Sequence, residues 1–251
     1  MTGRLAGKVA LVSGGGGGRG LPIARVLSRE GAVVVIADID DEGGERHAAE
    51  LGPKVAQFVH LDATNEADWR SATKFVHDTY GRVDLLVNNA RAQTREPDLT
   101  AIPLQDWHQE IAVILDGAFL GMKHVLPFMR SGGGGSIVNV VSLSGVAPFA
   151  PSPAYSAAHA AVLNLTKSTS VNCARARENI RVNAVVCGMS NDSPIDGISE
   201  IAERLIPVGR PAKAEDIAHA ILFFASDESS YITGSSVSLH GGYTAEVYPG
   251  V

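Results

Sequence analysis

The chain has 251 residues, of which 45% are hydrophobic and 19% are charged, a balance typical of a globular protein with a substantial core. Its net charge of −6 and its scattered basic residues argue against a nucleic-acid partner or an anionic membrane surface, both of which require a basic face. The two cysteines form no CxxC motif and the N-terminal apolar run is too short to span a membrane, so we expect a cytoplasmic protein without disulfides, metal or membrane partner.

Short apolar segments alternate with helical patterns along the whole chain. The predicted strands lie at residues 8–13, 32–37, 55–61, 83–88, 136–142, 180–186 and 235–239. The predicted helices lie at about 20–30, 41–51, 66–80, 104–130, 153–177 and 214–226. Several strands are apolar on both faces, which is typical of a parallel sheet covered by helices on both sides. The series predicts a single α/β domain over residues 1–251 with a doubly wound, Rossmann-type parallel sheet.

A glycine-rich segment follows the first predicted strand and opens a helix. Its spacing fits two motifs, G-x-x-x-G-x-G through Gly14, Gly18 and Gly20, and G-x-G-x-x-G through Gly15, Gly17 and Gly20. In either motif the glycines let the backbone approach a diphosphate at a helix N-terminus, which predicts a dinucleotide site. Arg19 either reaches a phosphate or points to solvent from the first helical turn. A second glycine run, 132–135, ends a helix and is expected to be a surface loop.

An acidic residue ends the second predicted strand. Asp38 follows the start of the glycine segment by some two dozen residues, where a carboxylate accepts hydrogen bonds from the adenosine ribose. The same charge repels a 2′-phosphate, so the sequence predicts NAD rather than NADP as the cofactor. Asp40 lies further past the strand end, and we expect it to be a solvated turn residue.

The segment YSAAHAAV, residues 155–162, places two titratable side chains on one helical face. Tyr155 and His159 are one turn apart, so their side chains are neighbours on the helix surface. Tyrosine is a weak acid, and histidine titrates near neutral pH. The pair is therefore either a catalytic unit or two ordinary residues of a packed helix, and the helix alone leaves both interpretations open.

The motifs, taken in order, resemble those of the short-chain dehydrogenase/reductase family over nearly the whole chain. They are VSGGGGGRG, ADID, LDAT, VNNA, GSIVNVVS, the Tyr155 helix, IRVNAV and YITGSSVSLHGG. The resemblance implies that Tyr155 passes a proton to or from the substrate oxygen, that Ser142 holds this oxygen, and that hydride moves at a nicotinamide. It also implies a set of cofactor-binding residues that comprises Gly14, Gly18, Arg19, Gly20, Asp38, Asp62, Asn89, Ala90, Tyr155, His159 and Gly188.

The same resemblance implies a substrate lid and an assembly. The lid is expected at about residues 189–206, and Ser144, Val146 and Phe149 are expected to line the substrate pocket beneath it. The long helices at 104–130 and 153–177 are expected to pair between subunits of a homo-oligomer, with a tetramer as the expected state.

Several positions depart from the family pattern. The lysine that follows the family tyrosine by four residues is His159 here, and the asparagine of the fourth helix is Ile114. His159 is expected to bind the nicotinamide ribose and to carry a charge that depends on pH near neutrality. Arg91 replaces a glycine and either points to solvent at a loop tip or attracts an anionic substrate. Asp192 stands where a threonine contacts the nicotinamide, and Cys187 is expected to be a small buried residue.

The resemblance implies an NAD-dependent oxidoreductase that acts on a small or medium-sized carbonyl or alcohol. Two alternatives follow from the departures. A reductase of C=N bonds is one, because an iminium substrate is cationic and would suit the loss of lysine and the gain of Asp192. A non-catalytic NAD-binding protein is the other.

Overall fold

The computed structural model describes residues 3–92, 98–149, 151–193 and 196–245. Its centre is a seven-stranded sheet with the order β3-β2-β1-β4-β5-β6-β7, in which every pair of neighbours is parallel. The strands are β1 (Val9–Ser13), β2 (Val33–Asp38), β3 (Ala56–His60), β4 (Leu85–Asn88), β5 (Gly135–Ser142), β6 (Ile180–Cys187) and β7 (Ser236–Leu239). The predicted α/β fold with a doubly wound parallel sheet is confirmed.

Helices cover both faces of the sheet. They are α1 (Gly20–Arg29), α2 (Asp41–Leu51), α3 (Glu66–Tyr80), α4 (Leu104–Ile111), α5 (Gly117–Ser131), α6 (Pro153–Arg175), α7 (Ile198–Leu205) and α8 (Ala214–Ala225). Residues of α1, α2 and α8 bury one cluster of apolar side chains against the sheet, and residues of α3 and α5 bury another. The helices and strands begin and end close to their predicted positions, and α7 is an additional helix within the expected lid.

The predicted helix over residues 104–130 changes its period once. A π-helical segment, Ala112–Asp116, joins α4 to α5 without a break, and the buried Ile114 lies within it. Among the described residues, only the combined stretch Leu104–Ser131 is long and apolar enough to cross a membrane by length and composition. In this fold the second half of the stretch packs against the sheet. Helix α5 contacts β4, β5 and α3, and its residues Val125 and Met129 are completely buried.

A chain of buried polar side chains ties α6 to the middle of the sheet. Asn88, at the end of β4, donates through Nδ2 to Oδ1 of Asn139 on β5 at 2.8 Å. Asn139 donates through its own Nδ2 to Oγ1 of Thr166 on α6 at 2.8 Å. A buried polar group left without its partner costs about 1–3 kcal/mol, so these bonds favour one position of α6 over the strands. They thereby orient the helix that carries Tyr155 and His159.

The two cysteines lie apart in the fold. Cys173 is on α6 and Cys187 ends β6, and both are buried free thiols. Burial raises the pKa of each thiol to about 11, so neither is a thiolate near neutral pH. Cys187 is thus the small buried residue that the sequence predicted.

Candidate active site

The sheet reverses its winding between β1 and β4. The chain continues from β1 to β2 on one side and from β4 to β5 on the other, which opens a crevice at the carboxyl ends of these two strands. Gly14 has a φ of 64° there, and a Cβ on it would lie 2.7 Å from Cα of Ala90. Asn89 donates through Nδ2 to the carbonyl oxygen of Gly14 at 2.8 Å. Only glycine permits this approach of the two loops.

A cleft of about 390 Å³ occupies the crevice. It brings together most of the predicted cofactor residues, namely Gly14, Gly18, Arg19, Asp38, Asp62, Asn89 and Ala90. Gly20 lies beneath the cleft, where a Cβ would meet the carbonyl oxygen of Gly15 at 2.1 Å, so it permits close packing at the start of α1. Both glycine spacings reach the cleft wall, G-x-x-x-G-x-G through Gly14 and Gly18 and G-x-G-x-x-G through Gly17, whereas Gly15 faces Ile36 of β2.

The carboxylate of Asp38 is held at the edge of this cleft. Its Oδ2 accepts a hydrogen bond from the backbone N–H of Gly16 at 2.8 Å, and its Oδ1 accepts one from Asp40 at 3.0 Å. Asp40 lines the same cleft and caps α2 by accepting from the N–H of Gly43 at 3.0 Å. Asp40 is exposed at the turn before α2, as predicted, and it also caps this helix.

A second cavity, of about 430 Å³, adjoins the cleft and shares Arg19, Asn89 and Arg91 with it. Its lining includes Ser142, which ends β5, and Tyr155 and His159 of α6, together with Gly188 after β6. We call it the active-site cavity. The predicted site residues from three separate elements therefore converge on one space beside the crevice.

Ser142 and Tyr155 face the same cavity. Burial raises the pKa of Tyr155, whereas the nearby hydroxyl of Ser142 and the charges of Arg19 and Arg91 oppose this rise. The net pKa lies above the ordinary value of tyrosine, which keeps the hydroxyl protonated at neutral pH. Positive charge therefore reaches Tyr155 from two arginines rather than from residue 159.

His159 is almost fully enclosed by the protein. It is 3% exposed and packs edge-on against the ring of Tyr155, with ring centroids 4.3 Å apart. Neither ring nitrogen has a hydrogen-bond partner among the described residues. Burial, assisted by the charge of Arg19, lowers the pKa of His159 to about 3. The expectation of a charge that changes near neutral pH is therefore wrong, because the imidazole is neutral throughout that range.

Ile114 lies close to His159 in the fold. Both line a small cavity of about 10 Å³, together with Asn88 and Asn139 of the buried polar chain. Oδ1 of Asn88 has no hydrogen-bond partner among the described residues. The hydrocarbon side chain of Ile114 offers no polar atom to these groups, as the sequence indicated.

An ion cluster joins the loops that follow β1, β4 and β6. Oδ2 of Asp192 lies 2.8 Å from Nε of Arg19 and 3.1 Å from Nη2 of Arg91. Arg91 also donates to the backbone oxygen of Asp192 at 2.7 Å, and Ser190 donates to its Oδ1 at 2.6 Å. The side chains of Arg19 and Asp192 are 10% and 12% exposed, so this is a largely buried cluster.

The ion cluster decides one of two open interpretations. Arg19 is buried, so its interpretation as a solvent-facing arginine is wrong, whereas Arg91 is paired with Asp192 and still 35% exposed in its side chain. Burial opposes ionisation of Asp192, but the two guanidiniums and Ser190 outweigh it and hold the pKa of this carboxyl below its usual value. The carboxylate of Asp192 is consequently ionised and held in place by its ion pairs with Arg19 and Arg91.

The expected lid contributes a helix that we did not predict. Ile201 and Leu205 of α7 line the active-site cavity, and Ala202 is fully buried. Their spacing is that of an amphipathic helix, so the periodicity of residues 198–205 was the missed signal. Ser144 and Phe149 line the cavity as expected, whereas Val146 is not part of the lining and is 60% exposed.

Comparison with known proteins finds relatives that are named as reductases or dehydrogenases. A family profile described as enoyl-(acyl carrier protein) reductase matches residues 17–244. The chain is 41% identical to trans-4-hydroxycyclohexanecarboxylate dehydrogenase of Sinomonas cyclohexanicum, over 98% of this chain and 96% of that protein. It is 37% identical to cyclopentanol dehydrogenase of Comamonas testosteroni, over 97% of this chain and 99% of that protein.

Two further similarities concern a steroid enzyme and a solved structure. The chain is 38% identical to 3-alpha-(or 20-beta)-hydroxysteroid dehydrogenase of Mycobacterium tuberculosis strain H37Rv, over 98% of this chain and 92% of that protein. A crystal structure from Burkholderia xenovorans, assigned as a short-chain dehydrogenase/reductase, has a TM-score of 0.90 and 34% identity. The match covers 98% of this chain and 100% of that chain.

The low pKa of His159 makes the free energy of unfolding depend on pH in the acidic range. Between pH 6.5 and about 3 the unfolded chain binds a proton that the folded protein does not, so stability falls as pH falls. From pH 7.5 to pH 5 we expect this group to remove about 2 kcal/mol of unfolding free energy from the wild type. The variant His159→Gln should not show this loss. Denaturant unfolding at the two pH values measures the free energy of unfolding of both proteins.

The matched control is His60→Gln. His60 is exposed, and its hydrogen bond with Asp41 raises its pKa, so its contribution to stability has the opposite sign. This control should leave the acid loss unchanged or steeper. An acid loss in His159→Gln as large as that of the wild type would contradict the assignment of a buried neutral imidazole.

Proposed function

The chain belongs to the short-chain dehydrogenase/reductase family, and from this premise we propose that it is an NAD-dependent oxidoreductase of a small or medium-sized alcohol or ketone. Three relatives are dehydrogenases named for a hydroxycyclohexane carboxylic acid, cyclopentanol and a hydroxysteroid. Each of these names describes a hydroxyl compound with a carbocyclic skeleton. We propose that the substrate of this protein is of the same kind.

The placement of Ser142 and Tyr155 on one cavity wall carries this proposal. The pair lies in a cavity that adjoins the glycine-lined cleft, so a substrate oxygen bound by it would be next to a dinucleotide. When bound, the cofactor accepts the hydride in oxidation or donates it in reduction. Ser142 donates a hydrogen bond to the substrate oxygen, and Tyr155 gives the proton in reduction or takes it in oxidation.

The cleft residues suit a dinucleotide. The glycine segment offers backbone N–H groups and the N-terminus of α1 to the diphosphate, and Arg19 adds a positive charge. Asp38 accepts from the adenosine ribose, and Asp62 is the proposed contact of the adenine. Oδ1 of Asn89 is buried and has no partner among the described residues, so it is available to the nucleotide.

His159 keeps a proposed role at the nicotinamide ribose. A neutral imidazole has one donor and one acceptor nitrogen, and both are unpartnered within the described structure. It can therefore form a hydrogen bond with a ribose hydroxyl, but it supplies no charge. Because Tyr155 remains protonated at neutral pH, we propose that carbonyl reduction is favoured kinetically over alcohol oxidation there.

The two alternatives have less support. The argument for a C=N reductase depended on a free negative charge at Asp192, but this carboxylate is shared by two arginines. A cavity that contains both arginines disfavours a cationic iminium. A non-catalytic NAD-binding protein would not require Ser142 and Tyr155 to face one cavity beside the cleft.

NAD should bind more tightly than NADP, by about tenfold or more, because Asp38 repels the 2′-phosphate at close range. Asp38→Asn should narrow the ratio of the two dissociation constants by about tenfold. Calorimetric titration of both nucleotides measures it. The control Glu45→Ala removes an exposed acid of α2 and should keep the wild-type ratio. Equal or tighter binding of NADP to the wild type would overturn the choice of cofactor.

Tyr155→Phe should lower turnover by about 10²–10⁴, the usual contribution of a general acid or base, and leave NAD affinity within about twofold. The assay is a panel of cyclic alcohols with NAD and of the matching ketones with NADH. Tyr231→Phe is the control, because Tyr231 is fully exposed and lies outside the cavity lining. If the wild type converts no member of the panel, the non-catalytic alternative is favoured.

We propose a homotetramer. Leu104, Phe119 and Val171, on α4, α5 and α6, are 68%, 47% and 46% exposed. Burial of such side chains stabilises subunit contacts. Sedimentation at micromolar concentration should give about four times the chain mass of 26.2 kDa. Phe119→Glu should yield smaller species, whereas Lys54→Glu, an exposed control, should not. A stable wild-type monomer would refute this.

A further inference from the structure

The active-site cavity has an unusual balance of charge. Among the described residues that line it, Arg19 and Arg91 are the charged ones, and none is acidic. The remaining lining is neutral, and it includes apolar side chains such as Phe149, Ile201 and Leu205. His159 adds no charge, because its pKa is about 3. The space beside Ser142 and Tyr155 is thus an apolar chamber with guanidinium groups at its border with the cleft.

Asp192 neutralises one of the two arginines and leaves one positive charge in excess. Arg19 is the more enclosed partner, since its side chain is 10% exposed, whereas that of Arg91 is 35% exposed. Arg91 contacts Asp192 through Nη2 alone. Burial and the neighbouring Arg19 lower the pKa of Arg91, but arginine stays charged in proteins. Arg91 is therefore the cation that the structure presents to the cavity.

We infer that Arg91 is an anion subsite of the active-site cavity, and that the preferred substrate is a secondary alcohol or ketone that also carries a carboxylate. This inference rests on the proposed function. One excess positive charge matches a monoanion better than a phosphate dianion. A planar guanidinium suits the two oxygens of a carboxylate, and the apolar lining suits the hydrocarbon body of the substrate.

Because Arg91 is held in place, its guanidinium is suited to distinguish anionic from neutral substrates. Its bonds to Asp192 hold the guanidinium in one place, so little side-chain freedom remains to be lost when an anion binds. The glycine that is typical of the family at this position has no side chain with which to recognise substrate. Arg91 is thus a specificity determinant that this chain adds to the family's catalytic serine and tyrosine.

The first test compares two probes of the same shape that differ in charge and in one hydrogen-bonding group, 4-hydroxycyclohexanecarboxylate and its carboxamide, with NAD. A charge-assisted hydrogen bond should make kcat/KM about tenfold to a hundredfold higher for the acid, mainly through KM. Arg91→Gln should lose this preference by lowering kcat/KM for the acid and leaving the amide within about twofold. Arg91→Lys should restore part of it.

The control variant is Arg204→Gln. Arg204 is an exposed arginine of α7 outside the cavity lining, so this variant should keep the wild-type preference for the acid. Equal kcat/KM for acid and amide in the wild type would overturn the inference and leave the proposed function intact. An equal loss on both probes in Arg91→Gln, or weaker NAD binding with an unchanged preference, would also overturn it, the latter by assigning Arg91 to the dinucleotide.

A binding measurement separates this inference from the proposed function. Cyclohexanecarboxylate has no alcohol to oxidise, so its calorimetric binding to the protein with NADH does not depend on turnover. Binding to the wild type that is lost in Arg91→Gln, without turnover of either probe, would support the anion subsite and refute the proposed function. The absence of both binding and acid preference would refute the anion subsite.

Discussion

The buried hydrogen bonds from Asn88 to Asn139 and from Asn139 to Thr166 are the interaction on which the site depends. They join the end of β4 and the middle of β5 to α6 through side chains that are almost fully buried. A shift of α6 would leave amide groups unsatisfied, at a cost comparable to a large part of the stability of a domain. These buried hydrogen bonds in the core therefore help to fix the position of Tyr155, on α6, relative to Ser142, on β5.

The same core changes what residue 159 can do. A lysine reaches past its neighbours to a polar space, whereas the shorter imidazole of His159 stays against Tyr155 and loses its charge through burial. Positive charge at the tyrosine comes instead from Arg19 and Arg91, on the loops after β1 and β4. The chain thus supplies the electrostatic environment of its tyrosine from the cofactor side of the cavity.

The sequence was sufficient for the fold because apolar periodicity and glycine placement are local signals. It also predicted that Gly14, Asp38, Asn89 and Tyr155 would meet, since parallel strands present their carboxyl ends at one edge. The ion cluster was missed because it depends on how three loops meet, although each of its residues follows a strand. The pKa of His159 could not be predicted either, because it depends on burial and on the charge of Arg19, which lies far away in the sequence.

The π-helical segment Ala112–Asp116 marks the place where this long helix can change its length. In a regular α-helix each residue added or removed turns everything beyond it by about 100°. A π-helical turn is wider and holds one extra residue, so the helix beyond it keeps its orientation. Beyond the segment, Gly121 lies against Asn88 and Trp69, so closely that a Cβ would come within 2.5 Å of the Asn88 side chain. Insertions and deletions should therefore be rarer between Gly117 and Gly121 than within Ala112–Asp116 when this protein is varied.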